Sequence, residues 1–315
     1  MVCLIFLTGI LNKIGGPIGV KPRGQPNTSV ERYENFCEQS PVIERQTWNS
    51  NKRVLTFSLF APLSLGQDPA SEKLFRWFVS GAQFNVRDAK LYYPGWIVRI
   101  YLFGTLPEVE LILSNEDHVE VVRCPMGSRL ASSNSRMMIS RFLAYDDPKV
   151  EYIISRDVDS RLHPRELFAV NEWLASGMHF HAMRDNKEHD TEVLGGMFGM
   201  KRGALDHASL SALLSQALND NPEGILGAPG EDQSFLQRYV WPIVKGDTLN
   251  HDDDAERCVR YGAKRCSTFP FNSKHLSTAH SFVGQSFKPP LDDEDGDFVS
   301  HYVCDISCVP AVVHS

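Results

Sequence analysis

The chain has 315 residues, of which 42% are hydrophobic and 23% charged, and its formal net charge is −7. That size and balance fit a globular protein of one large domain or two small ones. The acidic balance argues against broad, sequence-independent nucleic-acid binding, which needs basic surface, but leaves room for a small anionic ligand held by a local group of arginines.

The N-terminal run "VCLIFLTGIL" (2–11) is too short to span a bilayer, which takes about 20 apolar residues. It has no basic flank, so it is a weak leader, and no stable membrane span is expected. "GGPIGVKPRGQPNTS" is rich in Gly, Pro and Asn, and residues 1–50 read as a loose N-terminal segment. "RVLTFSLF" (53–60) is the first clear strand. "SEKLFRWFVSGAQFNVRDAKLYY" carries Leu74, Trp77 and Phe78 at helical spacing. "WIVRIYLF" (96–103) follows the turn signal Pro94-Gly95 as a second strand, and "EVELILS" and "VEVVRC" read as short strand-like pieces.

"SSNSRMMISRFLAYDDP" reads as a helix capped by Ser or Asn and ended by Pro148. Next comes an apolar strand, "VEYIISRDVDSRL" (150–162), that ends abruptly in two aspartates among arginines. "HPRELFAVNEWLASG" is a further helix, with Pro164 in its first turn and Gly177 as its stop. "MHFHAM" and "LGGMFGM" read as strands and "EDQSFLQRYVWPIV" as an amphipathic helix that starts acidic. Alternating strands and helices over about 53–250 predict an α/β fold around a mostly parallel sheet. The expected organisation is a domain over 51–290 followed by an acidic, proline-led tail, 291–315.

Seven cysteines are scattered along the chain. Cys258 with Cys266, and Cys304 with Cys308, have the spacing to pair in an oxidising compartment; free, partly buried thiols are the simpler reading, and neither spacing makes a zinc signature. The sequon Asn27-Thr28-Ser29 matters only in a secreted chain. "LDDEDGD" lacks the first aspartate of a calcium loop, and "HDDDAER" reads as a solvated charge run.

The chemistry concentrates on Asp157 and Asp159. Parallel sheets bind ligands beyond the carboxyl ends of their strands, which is where this pair stands. In extended chain, residues two apart face the same side, so both carboxylates can meet at one point with Val158 turned into the core. Two such carboxylates repel unless a cation lies between them, and oxygen ligands suit Mn²⁺ or Mg²⁺. Arg136, Arg141, Arg156 and Arg161 nearby can supply charge for phosphates. An ordinary pair of capping aspartates in a surface turn is the alternative. A dehalogenase-like phosphatase would carry D-x-D-x-[TV], but Arg161 stands at its last position.

In order, "RDVDSRLHPRELFAVNEWLASG", "HFHAMRD", "LGGMFGM" and "EDQSFLQRYVWP" resemble the GT-A-fold glycosyltransferases that carry a D-x-D motif, with the closest likeness to a group found in protists, bacteria and large viruses. The resemblance covers about Arg53 to Pro290. It implies a Rossmann-like GT-A α/β domain, a UDP- or GDP-sugar donor and a glycan or glycoprotein acceptor. It implies Mn²⁺ or Mg²⁺ on Asp157 and Asp159. Donor contacts would come from Arg141, Arg156, Asp157, Asp185, Gly195 and Gly196; the glycines can equally be a packed strand, and Asp185 would accept sugar hydroxyls. Asp232, then Glu231, would face the acceptor as catalytic carboxylates, unless they only cap their helix. "AHSFVGQSFKPP" is similar to the late H-x-x-x-G-x-x-K-P segment of retaining, glycogenin-like enzymes, although no Trp follows Lys288-Pro289. It offers His280 as a third metal ligand and Lys288 for the diphosphate. A non-catalytic nucleotide-sugar-binding module is the alternative from another class. The compartment expected is the cytoplasm, that of an infected host if the chain is viral, with the secretory lumen as the other choice.

Overall fold

A computed structural model describes residues 36–38, 51–61, 69–104, 106–113, 115–222, 230–262, 264–269 and 282–286. These form an eight-stranded sheet in the order β3-β2-β1-β4-β6-β5-β7-β8. The strands are β1 (Lys52–Phe60), β2 (Ile97–Phe103), β3 (Val119–Cys124), β4 (Val150–Arg156), β5 (Phe180–Arg184), β6 (Met197–Lys201), β7 (Thr248–Asp252) and β8 (Arg265–Thr268). Only β6 runs against its neighbours, pairing antiparallel with β4 and β5; the other pairings are parallel. The fold class is therefore the expected one, an α/β architecture on a mostly parallel sheet.

The helices are α1 (Pro69–Tyr92), α2 (Pro107–Leu113), α3 (Asn134–Ile139), α4 (Pro164–Ser176), α5 (Leu210–Asp220), α6 (Glu231–Phe235), α7 (Trp241–Val244) and α8 (Ala255–Arg260). One apolar cluster joins α1, α2 and α4 to one face of the sheet through Ala82, Val86, Val109, Val170 and Trp173. A second joins α3, α5 and α6 to the other face through Met137, Phe142, Leu214 and Phe235. The central strands are thus buried on both faces, which is why they read as near-continuous apolar runs.

Local signals explain most of the boundaries. In α4, Pro164 occupies the first turn, the His163 side chain accepts from the Arg165 N–H, and Gly177 just past the end has φ 76°. Only glycine takes that left-handed conformation without a Cβ penalty. Three expectations need correction. "EVELILS" is not a strand but α2: Val109 and Leu113, four apart, are buried together while Leu111 and Ile112 are exposed. A seven-residue run is too short for its period to be read alone. "SSNSRMMISRFLAYDDP" is the short α3 between two 3-10 turns. "HDDDAER" is no solvated run. His251 and Asp252 are buried in β7, Asp252 receives bonds from Arg184 (2.5 Å) and Arg257 (2.6 Å), and Asp254 caps α8.

The cysteines differ too. Cys258 pairs with Cys266, and Cys37 pairs with Cys124 at the end of β3. Phe36 and Cys37, from the segment expected to be loose, are buried, and Glu38 N–H donates to the Arg123 carbonyl at 2.9 Å. The remaining expectations for 1–35, the "VCLIFLTGIL" run among them, fall outside the described residues, as do Cys304, Cys308 and the 291–315 tail.

Candidate active site

β4 ends at Arg156, and the chain turns at once. The Ser160 N–H reaches back to the Asp157 carbonyl at 3.3 Å, the Ser160 hydroxyl donates to the same oxygen at 3.0 Å, and Val158 is buried. Asp157 and Asp159 line one cavity. A turn brings them there, where the sequence reading assumed extended backbone. α1 fixes the turn from below. Asn85 donates to the Val158 and Ser160 carbonyls, and a Cβ on Gly81 would lie 2.3 Å from the Val158 oxygen.

β1 positions the cation beside the pair. The Thr56 hydroxyl donates to the Arg141 carbonyl (2.7 Å) and the Ser58 hydroxyl to that of Met138 (3.0 Å). So held, Arg141 is a bridge: Nη1 donates to Asp157 Oδ1 at 2.6 Å and Nη2 to Asp232 Oδ2 at 3.0 Å. Its side chain is 3% exposed, against 34% for Asp157.

The glycine turn before β6 closes against these carboxylates. A Cβ on Gly196 would lie 1.9 Å from Asp157 Oδ2, and one on Gly195 would lie 2.1 Å from Asp232 Oδ2. Real Cβ atoms do not approach that closely, so each glycine is required by the carboxylate it faces. The Ser155 hydroxyl and Arg156 Nη1 donate to the carbonyls of Gly195 and Gly196, at 2.6 and 2.8 Å.

The cavity measures about 690 Å³. Asp157, Asp159, Glu188, Asp190 and Asp232 line it, and among the described lining residues there is no lysine or arginine. Burial, with the charge of Asp157 added, raises the pKa of Asp159, while a hydrogen bond from Ser286 opposes the shift. Burial likewise raises that of Asp232, against the Arg141 guanidinium. Both shifts record carboxylates taken out of water, with the charge of Asp157 adding to the effect. A hard divalent cation held by oxygen ligands fits this donor set. Asp157 and Asp159 would supply two ligands; His280, the third expected, lies outside the described residues, as does Lys288. Among the described residues, Glu116, Asp117 and His118 are the only trio of acidic or histidine side chains close enough to share an ion. None of them lines this cavity.

Three residues expected in the site stand behind it. Arg156 is fully buried and meets Glu166 at 3.1 Å as well as the Gly196 carbonyl. Asp185 takes two bonds from Arg165, each 2.7 Å. Glu231 accepts from Arg136 at 2.8 Å and does not line the cavity. Arg161 packs over Phe84 of α1. Asn186, His189, Gln233, Phe282 and Ser286 do line it, and the sequence reading did not single them out. Asn186 and His189 follow β5 at its carboxyl end, so the strand-end rule that found Asp157 also points to them. Gln233, Phe282 and Ser286 lie inside the acidic-helix and late segments themselves.

No protein-family description and no curated protein matches the chain by sequence. Among solved structures, it is similar to the glycosyltransferase GlyE of Streptococcus pneumoniae TIGR4, at 13% identity and a TM-score of 0.42, over 65% of this chain and 46% of that one. It is also similar to the galactosyltransferase LgtC in complex with donor and acceptor sugar analogs, at 8% identity and a TM-score of 0.43, over 64% of this chain and 73% of that one. The chain thus spans about half the length of GlyE. Likeness at this level carries no substrate and no residue role across.

Proposed function

We propose that the protein is a metal-dependent glycosyltransferase that moves a hexose or pentose from a nucleoside-diphosphate sugar, of the UDP or GDP type, to a glycan or glycoprotein acceptor. One observation carries this reading. Asp157, Asp159 and Asp232 converge on a single cavity beyond the carboxyl end of β4, with no described basic residue lining it. A diphosphate enters such a cavity only with a cation, because bare carboxylates repel it.

Asp157 and Asp159 would hold Mn²⁺ or Mg²⁺, which when bound supplies charge neutralisation for the departing diphosphate. Arg141 bridges Asp157 and Asp232 and fixes their spacing. Gly195 and Gly196 let the β6 turn close on the carboxylates. Asp232 would act at the acceptor side: as proton acceptor for the attacking hydroxyl in an inverting reaction, or as a counter-charge to the sugar in a retaining one. Gln233 beside it offers an amide to the same space. No helix among the described residues is long and apolar enough to cross a membrane. The two disulfides favour the secretory lumen over the cytoplasm, since such bonds persist in oxidising compartments.

A panel of nucleotide-sugars incubated with the protein and Mn²⁺ tests the reading. Free nucleoside diphosphate should appear with one donor and fall by about 100-fold or more in Asp159→Ala, a loss in the range seen when one charge-stabilising group is removed. Tight, Mn²⁺-dependent donor binding without turnover would instead identify a binding module, and phosphate release from simple esters a phosphatase.

A further inference from the structure

The short stretch Phe282–Ser286 forms part of the cavity wall and has no regular secondary structure to hold it. Its anchor is Asp185. That carboxylate is buried and bound in two-pronged fashion by Arg165 Nε and Nη2, both at 2.7 Å, and Oδ2 also accepts the Val283 backbone N–H at 3.0 Å. The Val283 side chain is fully buried in a small cluster with Ala169, Met183, Met197 and Phe269. The Arg165 guanidinium lies over the Phe269 ring, 4.9 Å from its centre. Gly284 follows with φ +84°, and a Cβ there would lie 2.2 Å from Met197 Sδ. Three residues past Val283, Ser286 lines the same cavity as Asp159.

We propose that Arg165 and Asp185 are positioning residues whose ion pair sets the divalent-cation affinity of the site, by fixing the Val283–Ser286 turn so that the Ser286 hydroxyl orients the Asp159 carboxylate. The inference rests on the reading of Asp157 and Asp159 as cation ligands. Asp185 then acts two steps away from the cation. A planar guanidinium and a carboxylate suit this use because the two-pronged bond fixes orientation as well as distance. Outer partners of this kind typically change metal affinity by about 10–100-fold when removed.

The test is a titration of the whole protein with Mn²⁺, following free Mn²⁺ by electron paramagnetic resonance, with no donor present. Asp185→Asn keeps an acceptor for Val283 N–H but loses the ion pair; Ser286→Ala removes the last link. Each should weaken Mn²⁺ binding by about tenfold. Ser286→Thr, which keeps the hydroxyl, should bind as the native chain does. The double variant should be no weaker than the stronger single, because both changes break one path. Native affinity in a folded Asp185→Asn, or additive losses in the double variant, overturns the proposal. If Asp185→Asn does not fold, native affinity in Ser286→Ala overturns it alone. Asp159→Asn separates the two levels: unchanged Mn²⁺ binding there removes the cation site itself, whereas abolished binding there with native binding in Asp185→Asn removes only the positioning role.

Discussion

The two ends of the central strands treat charge in opposite ways. At the amino ends, Lys52 Nζ meets Glu120 at 2.6 Å, Arg99 Nε donates to Glu120 at 2.8 Å, and Arg99 Nη2 donates to Asp147 at 2.7 Å. Two cations face two carboxylates, and the group is closed. At the carboxyl ends, Arg141 is the one described cation bonded to Asp157 and Asp232, and Asp159 lines the same cavity. A buried ion group that balances is structural, since its partners already satisfy one another. One that does not balance, in a cavity, holds a place for something else.

The sharpest way to break the closed end is Glu120→Ala, which strands Lys52 and part of Arg99. It should cost about 3–5 kcal/mol of stability, read by denaturant unfolding, with donor turnover per folded molecule unchanged. The open end should do the reverse. Asp157→Asn should reduce turnover by about 100-fold while the unfolding midpoint moves little, because its side chain is 34% exposed and Arg141 keeps Asp232 as a partner. Added Mn²⁺ sharpens the contrast. It should raise stability by about 2.7 kcal/mol at a hundredfold excess over its dissociation constant. Asp157→Asn should abolish that gain and Glu120→Ala should leave it intact.

A smaller effect tests the edge at β7 and β8. The Cys258–Cys266 bond spans eight residues, so Cys258→Ser should cost roughly 2–3 kcal/mol by loop-closure entropy. Tyr261, within that loop, donates to Asp190 at the cavity rim at 2.6 Å, and KM for the donor should report any shift.

The smallest effect concerns pH. Burial depresses His163 from 6.5 to about 4, so the native chain keeps it neutral. Above pH 6.5 the unfolded chain is neutral there too and no stability depends on it. As pH falls from 6.5 towards 4, only the unfolded chain takes the proton, and stability declines. Asn also caps a helix but does not titrate. His163→Asn should therefore flatten the stability curve between pH 6.5 and 5, by about 1–2 kcal/mol at the lower end.

Local pattern made much of this legible. β4 was visible because an apolar run ends in charge. α4 was visible because Pro164 and Gly177 bracket it. The glycine pair was visible because side-chain-free residues mark close approach, though not what approaches: Asp157 and Asp232 do, from 39 and 37 positions away in the chain. β7 and β8 were missed because "TLNHD" and "RCST" are short and polar. β7 is a strand because Asn250, His251 and Asp252 find partners on β5 and α4, as in the 2.8 Å contact of His251 with His181.

The sequence by itself determined periodicity, helix ends and the placing of two aspartates at a strand's carboxyl end, since those depend on neighbours a few residues apart. Only the tertiary structure decided which charges stay open. Asp185 and Arg156 read from the sequence as donor contacts, yet Arg165 and Glu166 neutralise them on the far side of the cavity wall. Whether a carboxylate is spent on a partner or left for a ligand is a question of distance in space, and distance along the chain does not contain the answer.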